Sequence, residues 1–232
     1  MKVTWLTQAG YLFENGKMRI LIDPYLSDSL GEKCQGKRRR IPADLTALAT
    51  RPDVILITHA HEDHLNLETL LPVLDRFENI TILCSESSFS AIKALGKYGD
   101  KHNIVLLTAH SVWSEGGITF YAVRAEHSDR SAVGFIIDDG NKTYYHSGDT
   151  LYNYDVLDDV LDLVEDGVDY AFLPINGKGN NMNAKDAADF AYELGAGAAI
   201  PMHYGLFDEV DPKSFDFEDA IILEPYKPTE LS

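Results

Sequence analysis

The chain has 232 residues, 45% hydrophobic and 25% charged, a balance that suits a globular fold and excludes disordered, collagen-like and fibrous classes. Lys and Arg number 20 against 37 Asp and Glu, a formal net charge of −17, which repels phosphate backbones and anionic lipid, so neither nucleic acid nor a membrane is an expected partner. Two cysteines without CxxC spacing, Cys34 and Cys84, exclude a disulfide scaffold; with no apolar leader and no apolar run near the ~18 residues of a membrane span, the reading is a cytoplasmic protein.

In chain order, apolar and β-branched runs predict strands at Val3–Leu6, Tyr11–Glu14, Arg19–Asp23, Val54–Thr58, Ile80–Cys84, Ile104–Thr108, Ile118–Val123, Val133–Asp138, Lys142–His146, Tyr170–Pro174 and Ala198–Met202. Asn15-Gly16 and Asp139-Gly140 mark hairpins. Helical periodicity falls at Leu65–Phe77, Ser85–Tyr98, Asp155–Asp166 and Ala184–Leu194, the last with Asn183 as N-cap and Gly195 as stop. Early hairpins followed by alternating strands and helices predict an α/β fold of two mixed sheets with helices on both outer faces. No linker or repeat divides the chain, so residues 1–232 read as a single domain. The acidic stretches Asp155–Asp169 and Asp208–Asp219 read as solvated faces, whereas Lys33–Arg40 concentrates bases on one loop.

The chemistry gathers at Thr58-His59-Ala60-His61-Glu62-Asp63-His64. An apolar strand precedes it and a helix follows, so a tight turn can aim His59, His61, Asp63 and His64 into one volume. Imidazoles and a carboxylate suit Zn, Mn or Fe. Further donors stand at or just beyond strand ends: His127, Asp149 after Gly148, and His203.

His59-x-His61-x-Asp63-His64, then His127, Asp149 and His203 in that order, resemble the metallo-β-lactamase superfamily of metal-dependent hydrolases, and Asp23 in Leu21-Ile22-Asp23-Pro24 matches its early aspartate. The resemblance runs from Trp5 to Tyr204 and implies a four-layer αββα sandwich. Within the superfamily the chain is most similar to the L-ascorbate-6-phosphate lactonase-like branch, on Trp5-Leu6-Thr7-Gln8-Ala9-Gly10, Tyr145–Tyr154 and Ile200-Pro201-Met202-His203-Tyr204. It implies one or two divalent ions per chain, manganese or zinc before iron. His59, His61 and His127 would hold one ion, and Asp63, His64 and His203 the other. Asp149 would bridge, with Asp23 behind the ligands. Water activated by the ion would attack an electrophilic carbonyl or phosphorus, with Asp63 orienting it and taking its proton. His146, Tyr152 and Tyr204 stand near these residues as donors to a leaving group, and His146 is equally read as structural.

The implied substrate is a small phosphorylated or carboxylated metabolite such as a sugar-acid lactone. Alternatives are a small phosphodiester and, on the same scaffold, a di-iron redox centre, which His61 in place of Glu disfavours. Arg38, Arg39 and Arg40, with Lys37, read as an anion clamp or as a surface loop or contact in a homo-oligomer. Lys178, in Asn176-Gly177-Lys178-Gly179, is a further substrate candidate. His102 and His110, in polar turns, read as solvent-exposed, Cys34 as a loop thiol and Cys84 as buried.

Overall fold

A computed structural model describes every residue except Glu165. The chain divides into two compact units: Met1–Leu106 with Gly205–Phe207 and Leu223–Ser232, and Leu107–Tyr204 with Asp208–Ile222. The second carries 22 acidic and 6 basic residues and the first 15 and 14, so almost all of the net charge belongs to the second and the first is close to neutral.

The first unit holds strands β1 (Lys2–Trp5), β2 (Tyr11–Glu14), β3 (Arg19–Ile22), β4 (Val54–Ile57), β5 (Thr81–Cys84) and β6 (Asn103–Leu106). Its helices are α1 (Ser29–Lys33), α2 (Leu67–Arg76) and α3 (Glu86–Ala94). β1, β2 and β3 form an antiparallel meander; β3, β4, β5 and β6 run parallel. The sequence dictates this division. β2 and β3 meet across Asn15-Gly16, where Gly16 takes φ +82° and Asn15 Oδ1 accepts from the Lys17 and Met18 amides. β4 and β5, Val-Ile-Leu-Ile and Thr-Ile-Leu-Cys, have no polar face and are buried throughout, as parallel strands covered on both sides require. Asn66 caps α2 by accepting from the Thr69 amide, and the helix buries Leu70, Val73 and Leu74, each contributing about 1.5–3 kcal/mol.

The second unit repeats the plan. Strands β7 (Val112–Glu115), β8 (Ile118–Arg124), β9 (Val133–Asp138) and β10 (Thr143–His146) are antiparallel; β11 (Tyr170–Pro174) and β12 (Ala198–Met202) continue from β10 in parallel. α4 (Tyr154–Leu161) packs on β8, and α5 (Ala184–Leu194) on β11 and β12. α5 starts at the Asn183 cap and ends at Gly195 with φ +69°, as expected. Strand β13 (Pro228–Glu230) returns to the first sheet as the edge beside β1.

The differences from expectation have local causes. β7 is an exposed edge and β13 a three-residue edge opening on proline, so neither leaves a strong pattern. α3 stops at Ala94 because Gly96 turns left-handed at φ +70°; α4 closes at Leu161, and the stretch expected to follow includes Glu165, outside the described residues. Asp159 departs from the solvated-face reading: it is 6% exposed and accepts from the Arg124 amide at 2.6 Å, with His110 Nε2 at 3.1 Å.

His102 is a second correction. It is 5% exposed, not on the surface; Nε2–H donates to the Leu74 carbonyl at 3.0 Å and Nδ1 accepts from the Ile80 amide at 3.4 Å. Burial pulls its pKa below the ordinary 6.5, although the bond to Leu74 works the other way. The unfolded chain then binds a proton that the folded chain resists, so this group's stabilisation is complete above about 6.5 and is lost as pH falls through the depressed folded value. In chelator-treated protein, His102→Gln is expected to lose less Tm between pH 7.5 and 5.5 than the parent. Equal slopes would remove His102 as the cause.

Candidate functional site

Strand register builds the first cluster. β3 pairs with β4 so that Ile22 lies opposite Leu56, which places Asp23 beside Thr58. Asp23 is fully buried and left-handed at φ +40°, and its amide donates to the Leu56 carbonyl. Its carboxylate accepts from the Thr58 amide at 2.8 Å, from Thr58 Oγ1 at 2.5 Å and from His64 Nδ1–H at 2.7 Å. Thr58 Oγ1 has given its proton to Asp23, so it accepts from His59 Nδ1–H at 3.0 Å. One carboxylate thereby fixes both tautomers, directly for His64 and through Thr58 for His59, and the Nε2 atoms carry the lone pairs.

His59 Nε2 lies 3.0 Å from His61 Nδ1. With Nε2 fixed as an acceptor, such a pair needs a proton or a cation between its nitrogens, and 3.0 Å is a separation two ligand nitrogens keep at about 2.1 Å from one ion. His59 with His64, and Asp63 with His64, also offer ligand atoms within 4.8 Å of each other. The donors present therefore fit a divalent ion of the zinc or manganese type.

Asp63 has a partner the motif does not reveal: Gln8 Nε2 donates to Asp63 Oδ2 at 2.9 Å. Gln8 sits in the buried turn between β1 and β2, where Thr7 (φ +76°) and Gln8 (φ +53°) are both left-handed. Two such non-glycine residues, one of them β-branched, store about 1–3 kcal/mol of strain each. The turn is held by Leu6 N–H to Gly10 O, Gly10 N–H to Thr7 O and Trp5 Nε1–H to Gln8 O.

Arg39 is placed otherwise than in an outward-facing anion clamp. Its guanidinium donates to Ile41 O, Tyr25 O, Thr7 Oγ1 and Tyr226 OH, and lies over the Tyr25 ring. Those contacts occupy the fork, so Arg39 braces the Thr7 turn. Arg38 pairs with Asp28 at the surface, Lys33 pairs with Glu62, and Arg40 and Lys178 are exposed.

The second unit gathers its own donors. The parallel pairing of β10, β11 and β12 aligns the strand ends that precede Asp149 and His203. Gly148, at φ +60°, makes the turn, and its amide donates to His146 Nδ1 at 3.2 Å, so buried His146 braces the segment that carries Asp149. Asp149 Oδ2 is 3.3 Å from His203 Nε2 and 3.8 Å from His127 Nε2. His203 is left-handed, φ +58°. His127 Nδ1 faces the Asn180 carbonyl at 3.2 Å, which can only accept, so Nδ1 carries the proton and Nε2 the lone pair. The Lys178 loop thus orients a histidine through its backbone. Burial pushes the Tyr204 phenol up to about 12, so it holds its proton at neutral pH; Tyr152 is raised too, by burial and then by bonds to Glu193 and Tyr154.

A family model described as "Beta-lactamase superfamily domain" matches residues 18–204. A "UPF0173 metal-dependent hydrolase" of Methanosarcina mazei is 30% identical over 223 residues, 93% of this chain and 89% of the relative. Among solved structures, a metallo hydrolase from Ignicoccus hospitalis is similar with a TM-score of 0.78 at 21% identity, covering 100% of this chain and 99% of that one. An isothiocyanate hydrolase from Delia radicum gut bacteria is similar with a TM-score of 0.77 at 17% identity, covering 100% and 99%. At these identities the structures show the fold, the α/β arrangement of two helix-flanked sheets that the sequence predicts. With the family model and the archaeal relative in agreement, the chain belongs to the metallo-β-lactamase superfamily, in its UPF0173 group of metal-dependent hydrolases.

Proposed function

We propose that the protein is a hydrolase in which His59, His61 and His127 hold one divalent ion, Asp63, His64 and His203 a second, and Asp149 bridges them, acting on the ester carbonyl of a small lactone. The observation that carries this reading is the Asp23 carboxylate, which fixes the ligand tautomers of His59 and His64 at once. A divalent ion held by these residues would lower the pKa of water towards neutrality and offset developing negative charge. Asp63, held by Gln8, orients the attacking water and receives its proton on a carboxylate oxygen. Tyr204 keeps its phenolic proton for donation.

A phosphorylated sugar-acid lactone, such as L-ascorbate 6-phosphate, is the first substrate to try. The exposed Arg38–Asp28 pair is worth little by itself, so Arg38 can exchange its partner for a phosphate, and it belongs to the unit that is nearly neutral. Arg40 and Lys178 are the other cations offered to it. Chelator-stripped protein should be inactive, and manganese or zinc should restore ring opening. A metal-loaded protein that cleaves bis-p-nitrophenyl phosphate much faster than any lactone would replace the lactone with a phosphodiester. Replacing Arg38 by Ala should raise KM for the phosphorylated lactone and leave KM for its unphosphorylated form unchanged.

A further inference from the structure

We infer that Gln8 is a positioning residue for the second of the two proposed ions, aiming Asp63, and that Arg39 holds Gln8 in place. The inference rests on the two-ion reading above. Four observations converge, all within the first unit. The Gln8 amide donates to Asp63 Oδ2 at 2.9 Å, which fixes the carboxylate's orientation, and a carboxylate oxygen of Asp63 lies within 4.8 Å of a ring nitrogen of His64. Gln8 is 1% exposed, so its amide reaches half-buried Asp63 from the interior, where a donor left without that acceptor would be costly. Gln8 and Thr7 occupy left-handed backbone that neither residue type favours, and such strain persists only where the surroundings over-determine it. Those surroundings are visible: Trp5 Nε1–H fixes the Gln8 carbonyl at 3.0 Å, and Arg39 Nη2–H fixes Thr7 Oγ1 at 3.0 Å.

Arg39 is anchored in turn to Tyr25 O at 2.7 Å and to Tyr226 OH at 2.9 Å, a residue 187 positions away. A guanidinium can hold these diverging acceptors at once because it is a planar fork; a lysine can hold only part of the set. Arg39 thus supports the proposed ligand Asp63 from behind, through Thr7 and Gln8.

The test is titration of chelator-stripped protein with Mn²⁺, following heat and the signal of free Mn²⁺. The parent is expected to bind two ions. Gln8→Met keeps the side chain's length and removes the donor. It should weaken one of the two affinities about 10–100-fold and leave the other unchanged, the size expected for loss of a ligand's hydrogen-bond partner. Excess Mn²⁺ should then restore its turnover, a rescue that a merely damaged fold would not give. Arg39→Lys should weaken the same ion by a smaller factor, and it keeps the inference testable if Gln8→Met does not fold. Two ions bound with parental affinities by Gln8→Met, or both affinities reduced together without rescue, would overturn the role of Gln8. A parental protein that takes up no more than one ion would overturn the two-ion reading itself, a result separable from either.

Discussion

Asp149→Ala is expected to lower kcat at least about 1,000-fold, or about 4 kcal/mol of transition-state stabilisation, with the fold intact. Asp149 is the carboxylate around which the second unit's imidazoles gather, with His203 Nε2 at 3.3 Å and His127 Nε2 at 3.8 Å. Its removal leaves two imidazoles with no anionic partner between them. If it bridges, both ions are loosened by one substitution. Metal content should fall together with rate, whereas loss of a single-ion ligand should reduce metal content by half. The far-UV circular dichroism should be unchanged, because the turn is made by Gly148 and braced by His146, not by the carboxylate. A variant that retains two ions and more than a tenth of the parental rate would exclude a bridging role.

Asp23→Ala is expected to be the most destabilising substitution near the ligands. Three donors point at a carboxylate with no exposure to solvent, and alanine offers them nothing. Leaving buried donors without an acceptor costs about 1–3 kcal/mol each, so about 3–5 kcal/mol after partial relaxation. In a chain of this size that is a fall in Tm of about 10 °C. Asp23→Asn should fall less: the amide oxygen still accepts from Thr58, and asparagine tolerates the φ of +40°. Its nitrogen cannot accept from His64 Nδ1–H, so the tautomer is released in both variants and metal affinity should drop in both. Calorimetry of the stripped proteins separates the two effects. A change in Tm below 2 °C for the alanine variant would contradict the network drawn here.

The sequence made the frame visible because the frame is local. β4 and β5 are unbroken apolar runs, and Asn183 and Gly195 start and stop α5 by rules that need only neighbours. The proposed ligands were legible because they stand where strands end and because their order resembles the superfamily's. What supports them was not. Gln8 reaches Asp63 over 55 positions and Arg39 reaches Tyr226 over 187, separations that no periodicity records. Arg39 shows how such distance misleads. In the sequence it is one base in a basic run, and in the fold it is an internal brace. His102 misled in the opposite way, because a polar turn conceals one side chain folded back between Leu74 and Ile80. The turn Trp5–Gly10 carried a faint signal, Gly10 two residues after Gln8, but nothing in it named the partner.

The left-handed backbone at Thr7, Gln8, Asp23 and His203 bears on how this lineage can change. Glycine would relax the backbone at each of these positions, yet it has no side chain to make the bonds that Thr7, Gln8 and Asp23 make, or to offer a ligand at 203. At these four positions the side chain's bonds are set against the ease of the backbone. At position 23 the three donors keep the carboxylate useful even without an ion, whereas at His203 the proposed ligand role is what weighs against the backbone. Glycine or asparagine at position 203, in an otherwise similar chain, would mark a member that keeps the fold without the proposed ligand set.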